Sequence, residues 1–96
     1  SRKDILEFEM VVKNLRSTPI EIEIQDQVPV SGDDDIVIDV VTVDGAIHDL
    51  KSGILTWNII AESGKSEKKD LSFSIKYPKH MSISKQKSMK AVRAKF

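Results

Sequence analysis

Ile20-Glu21-Ile22-Glu23-Ile24-Gln25 alternates branched apolar and polar side chains without a break. A period of two puts the isoleucines on one face and the glutamates on the other, which is the pattern of a half-buried strand. Isoleucine is stiff at χ1 and suits a pleated surface better than a helix. Pro19 stands just before this stretch and Pro29 just after it. Neither residue fits the interior of a hydrogen-bonded ladder, so the two prolines bracket the strand.

The same period recurs on either side. Leu6, Phe8, Met10 and Val12 alternate within Ile5–Val12, and Leu71, Phe73, Ile75 and Tyr77 alternate up to Pro78. Leu55, Trp57 and Ile59 share a face of Ile54–Ile60. Ile36–Val43 differs in being apolar on both faces, with Ile36, Ile38 and Val40 on one and Val37, Val41 and Val43 on the other. Asp44-Gly45 is a tight-turn dipeptide, and Ala46-Ile47-His48 reads as a short returning strand. Strands recurring at roughly ten-residue spacing between Gly, Pro, Asn and Asp clusters predict an all-β chain. The expectation is an antiparallel immunoglobulin-like or fibronectin-III-like sandwich of about seven strands. Phe8, Ile22, Trp57 and Phe73 are expected in one core. No segment is long or periodic enough for a crossover helix, so all pairing is expected to be antiparallel.

The 96 residues make one domain, with residues 1–79 as the sandwich and 80–96 as a basic tail that carries at most one extra edge strand. Cysteine is absent, which removes disulfides and thiolate metal sites and leaves the compartment open. No apolar run reaches the length of a membrane span. Net charge is zero, so there is no overall attraction to nucleic acid. The charge is nonetheless segregated. Nine acids and no Lys or Arg lie between Ile20 and Leu50, and seven basic residues and no acid lie between Leu71 and Phe96. Folding then either pairs the two segments or leaves the domain with a dipole.

Phe8-Glu9-Met10-Val11-Val12-Lys13-Asn14, Thr18-Pro19-Ile20 and the run from Ile24 to Ser31 together resemble the C-terminal domain of mucoidy-inhibitor-like proteins. Ile36–Val40, Gly53-Ile54-Leu55-Thr56-Trp57, Leu71-Ser72-Phe73 and Lys76-Tyr77-Pro78-Lys79 follow in the same order. The resemblance implies a β-rich module of unknown biochemical function, joined in its parent to an N-terminal β domain and a coiled coil. On that basis the chain is the C-terminal part of a larger protein. The resemblance carries no catalytic residues.

Candidate chemistry is sparse. Asp33-Asp34-Asp35 offers the carboxylate oxygens that Ca²⁺ wants, but consecutive side chains diverge and the D-x-D-x-D-G spacing is missing, so a solvated loop tip is favoured. His48-Asp49 could orient an imidazole for base catalysis, yet no nucleophile stands in a recognisable elbow. His48 and His80 lack zinc spacing. Trp57, Phe73 and Tyr77 could stack on a sugar or base, but their strand positions point to core packing. The basic tail lacks interleaved aromatics, so contact with nucleic acid or anionic lipid is not expected. No catalytic, metal or cofactor site is expected.

The expected function is therefore a non-catalytic structural or protein-interaction module. Its candidate contact patch is Val37, Val41 and Val43, an apolar face with no place inside a two-layer sandwich. The expected occupants are the missing N-terminal domain of the parent, another protein, or a second copy of the chain. A carbohydrate-binding or adhesion domain is the alternative, and an accessory piece of a hydrolase using His48 and Asp49 is a weaker one.

Overall fold

The longest pairing joins the first and the sixth strands of the chain. In the computed structural model, which describes residues 2–80 and 89–95, β1 (Arg2–Lys13) runs antiparallel to β6 (Ser66–Tyr77). Their register is unbroken from Arg2↔Tyr77 to Lys13↔Ser66. Between them in the chain lie β2 (Ile20–Gln27), β3 (Val37–Thr42), β4 (Ile47–His48) and β5 (Ile54–Ala61), and β7 (Met89–Lys95) follows β6. One sheet has the order β3-β6-β1-β7 and the other β2-β5-β4. The described residues are all-β, with no helix among them.

The inward faces of both sheets meet in one apolar cluster. Leu6, Phe8 and Met10 of β1 and Leu71, Phe73, Ile75 and Tyr77 of β6 come from one sheet. Leu55, Trp57 and Ile59 of β5 come from the other, and Val28 joins them from beyond β2. The Phe8 and Phe73 rings stack with centroids 5.8 Å apart. Trp57 is only 1 % exposed. Its indole N–H donates to the Val43 carbonyl at 2.8 Å, so the ring is buried without stranding its polar atom.

Four expectations need correction. First, β7 pairs with β1 in parallel, not antiparallel. Strand β1 occupies the place beside β6, so a β7 that runs antiparallel to β6 must run parallel to β1. Second, Ile22 is only half-buried and lies outside the core cluster, because β2 is an edge strand. Third, Ile47 and His48 do not return along β3. They pair with Thr56 and Leu55 of β5, so the turn at Asp44-Gly45 hands the chain to the other sheet. Both turn residues have positive φ, 52° and 82°, as a turn of this kind requires. Fourth, β6 begins at Ser66, ahead of its apolar part. The segment 66–70 is all polar, and it is extended because Lys13 through Glu9 pair with it.

Asn14 closes the β1–β6 pair. Its N–H donates to the Lys65 carbonyl and its own carbonyl accepts from the Gly64 N–H. Its side chain is 0 % exposed. The amide nitrogen donates to the Thr18 and Ala61 carbonyls at 2.8 and 2.9 Å, while Oδ1 accepts from the Arg16 N–H. A buried amide needs this degree of satisfaction to be tolerated.

Candidate functional site

The apolar patch is built on β3, which among the described residues pairs with β6 alone and forms the edge of its sheet. Val37 faces Lys76, Ile38 faces Ile75 and Val40 faces Phe73. The register then slips: Thr42, not Val41, faces Ser72. Val41 is the extra residue of a β-bulge. Parity follows from that one residue. Ile36, Ile38 and Val40 pack against the core, and after the bulge Val43 does so too. Val37 and Val41 stay outside at 46 % and 67 % exposure. Of the three expected patch residues, two are exposed and one is half-buried against the core. Val43 drops out because the bulge turns it inward.

Around the two valines the surface is mixed. Lys76 is exposed beside Val37, and Ile5 of β1 is exposed in register with Ser74, which lies between it and Asp39. A shallow depression of about 410 Å³ lies at this end of the sheet, lined by Asp35, Val37, Lys76, Tyr77, Pro78 and Lys79. The Tyr77 ring is buried, and its hydroxyl donates to Asp4 Oδ2 at 2.9 Å.

The other candidate residues do not converge. Asp33 uses its carboxylate on its own loop, accepting the Asp35 N–H at 2.9 Å, while Ser31 Oγ caps the Asp33 backbone. Among the described residues no three His, Asp or Glu gather into a metal-sized cluster. His48 is half-buried opposite Leu55, whereas Asp49 sits in the exposed turn that follows. Asp49 Oδ1 accepts the backbone N–H groups of Lys51 and Ser52. Those two bonds, Ser52 first, hold its carboxyl below the usual aspartate value. Its chemistry is that of a turn-former. Trp57, Phe73 and Tyr77 are all in the core, so none presents a face to a ligand.

One surface ion pair, Lys68 with Glu9 at 3.4 Å, lies outside both charged segments.

A second surface was not singled out by sequence reasoning. On the outward face of the other sheet, Glu21 stands opposite Ile60 and Glu23 opposite Asn58. Ile60 and Ile47 are well exposed there. A shallow depression of about 470 Å³ is lined by Glu21, Ile22, Glu23, Asn58, Ile59 and Ile60. The alternation of Ile20–Gln25 predicted the glutamates outside, but not that Ile60 would be their neighbour. That depends on register across the sheet.

Comparison with curated proteins and with solved structures gives no match. A family profile described as a domain of unknown function, DUF4139, matches residues 1–79. That span takes in β1 through β6 and both candidate surfaces, and the chain belongs to the DUF4139 family.

Proposed function

We propose that the domain is a non-catalytic interaction module, an immunoglobulin-like sandwich that docks through the β3 edge of its larger sheet. The observation that carries this reading is the exposure of Val37 and Val41 on a strand whose other apolar residues are drawn into the core. Exposed apolar side chains on a sheet edge favour a contact role where a partner joins them into one patch. Among the described residues no buried constellation of titratable groups competes with this role.

The immunoglobulin-like reading is supported by five strands. The orders β2-β5-β4 and β3-β6 match the B-E-D and C-F neighbours of that fold. The departure is at the ends, where β1 separates β6 from β7. The occupant in this proposal is the remainder of the parent chain. The likeness to the C-terminal domain of mucoidy-inhibitor-like proteins supports that choice.

Hydroxyl-radical footprinting of this domain and of the full parent chain tests it. Val37 and Val41 should be protected in the parent and labelled in the domain. Equal labelling in both would overturn the reading. The Val37→Lys/Val41→Lys variant should keep the fold, since both side chains face solvent, and should lose association with the parent's remainder.

A further inference from the structure

The edges of the two sheets are not equivalent. Strand β4 has only two residues, β3 is broken by its bulge at Val41, and β7, the other edge of the larger sheet, has seven residues in parallel pairing with β1. Strand β2 has eight residues, pairs without a slip from Ile20↔Ala61 to Gln27↔Ile54, and among the described residues has no strand on its other side. A long, regular edge is a template for one more strand.

Two further features say what kind of strand fits. Ile20 and Ile22 face inward but stay half-buried and outside the core cluster, so the apolar cover over this edge is incomplete. On the outward face, Glu21 and Glu23 are exposed and pair with no cation among the described residues. They flank the depression that also holds Asn58 and Ile60. A lysine or arginine on an added strand would stand beside these carboxylates, on the side of β2 away from Ile60, and bring its charge between them. A second copy of β2 does not suit it, because pairing β2 with itself crowds four glutamates onto one face. Like charges opposite one another on a sheet are destabilising.

We infer that β2 is the acceptor edge for a strand of a protein partner, one that alternates basic residues outward with apolar residues inward. Main-chain hydrogen bonds to β2 supply the pairing, and the two glutamates select the partner's charge. The inference rests on reading the domain as an interaction module. Its test, however, reads β2, while the docking proposal is read at Val37 and Val41, so either can fail alone.

The probe is a capped peptide of alternating lysine and valine, titrated into the domain at low salt. Hydrogen exchange should slow within β2 and not within β3. Glu21→Gln/Glu23→Gln keeps the shape and should weaken binding several-fold. Glu21→Lys/Glu23→Lys should weaken it by roughly tenfold or more, since two exposed charge pairs are lost and replaced by repulsion. Binding should also fall as salt is raised. Equal affinity for a peptide of the same composition with its lysines and valines in separate blocks would overturn strand pairing. Protection confined to another strand, or no binding, would overturn the inference outright. A concentration-dependent dimer without peptide, abolished by the Lys variants, would make a second copy the occupant and would equally overturn it.

Discussion

Strands β2 and β3 end their respective sheets and are built in opposite ways. Strand β2 is regular, with isoleucines inward and acids outward, and its inward side chains are only half covered. Strand β3 is apolar on both faces and bulged, with Ile38 and Val40 seated on the core. The inward residues of both strands are half-buried, but of the β2 isoleucines only Ile24 packs against the core, so clean alternation marks the less committed edge. The lesson is that amphipathic pattern reports which way side chains point, while burial depends on what lies across the sheet.

Trp57 connects the two edges. It faces Ile24 of β2 in register, and its indole N–H holds the Val43 carbonyl just past β3. The same carbonyl accepts the Ala46 N–H, so ring and turn share one acceptor. Trp57→Ala should cost about 3–5 kcal/mol, as large aromatic deletions in cores do. For a domain with about 5–15 kcal/mol in total, that approaches complete loss of folding. Chemical denaturation measures it, and a variant as stable as the parent would dissolve the link between the edges.

Asn14→Ala is expected to be next. It would leave the buried Ala61 carbonyl and the part-buried Thr18 carbonyl without their donor, at the entry to β2. Unsatisfied buried groups cost about 1–3 kcal/mol each, and the whole change should fall near the upper end of that range. Loss of amide protection at β2 before β3 would localise the damage. An Asn14→Ala domain with unchanged stability would mean that water replaces the amide.

Paired truncations test the comparison directly. Ile38→Ala on β3 and Ile22→Ala on β2 remove the same atoms from half-buried sites, but only Ile38 packs against the core. Ile38→Ala should cost roughly 2 kcal/mol and Ile22→Ala clearly less, since a full cavity term applies only where neighbours close round the side chain. Equal losses would show that β2 is as well anchored as β3.

The smallest effect concerns the β4–β5 turn. The Asp49 carboxyl is held low by the Ser52 and Lys51 N–H groups. Because the folded value lies below the unfolded one, the contribution is present above the unfolded pKa. It is lost as pH falls through the folded value. An NMR titration of Asp49 should show the lowered midpoint, and Asp49→Ala should flatten this part of the acid dependence by lowering stability slightly near neutrality while leaving it unchanged in acid. An ordinary midpoint would mean that the turn does not use the charge.

Gly53 shows how far local sequence can mislead. As Ser52-Gly53 it reads as a simple turn, and its φ of 77° agrees. Yet the residue is buried, and a Cβ there would overlap the Val28 carbonyl oxygen. Its own carbonyl accepts the Val28 N–H at 2.9 Å. Glycine is required both by conformation and by the close approach of the chain leaving β2. Only the second requirement depends on a contact distant in sequence.

The sequence by itself determined that the chain is all-β, where most strands lie, and which face of β1, β5 and β6 is apolar. Those facts follow from period-two alternation and from Gly and Pro at the breaks, both local properties of the chain. The match to its family likewise rests on local residues. What only the tertiary structure decided is which strands are neighbours and where the pleat slips. The insertion of β1 between β6 and β7, the handover at Asp44-Gly45, and the bulge that turns Val43 inward all depend on non-local pairing. So does the meeting of Glu21 and Glu23 with Ile60 and Asn58, two strand positions far apart in the chain. Alternation fixes a side chain's parity within its own strand, but a single extra residue or a change of neighbour resets what that parity faces.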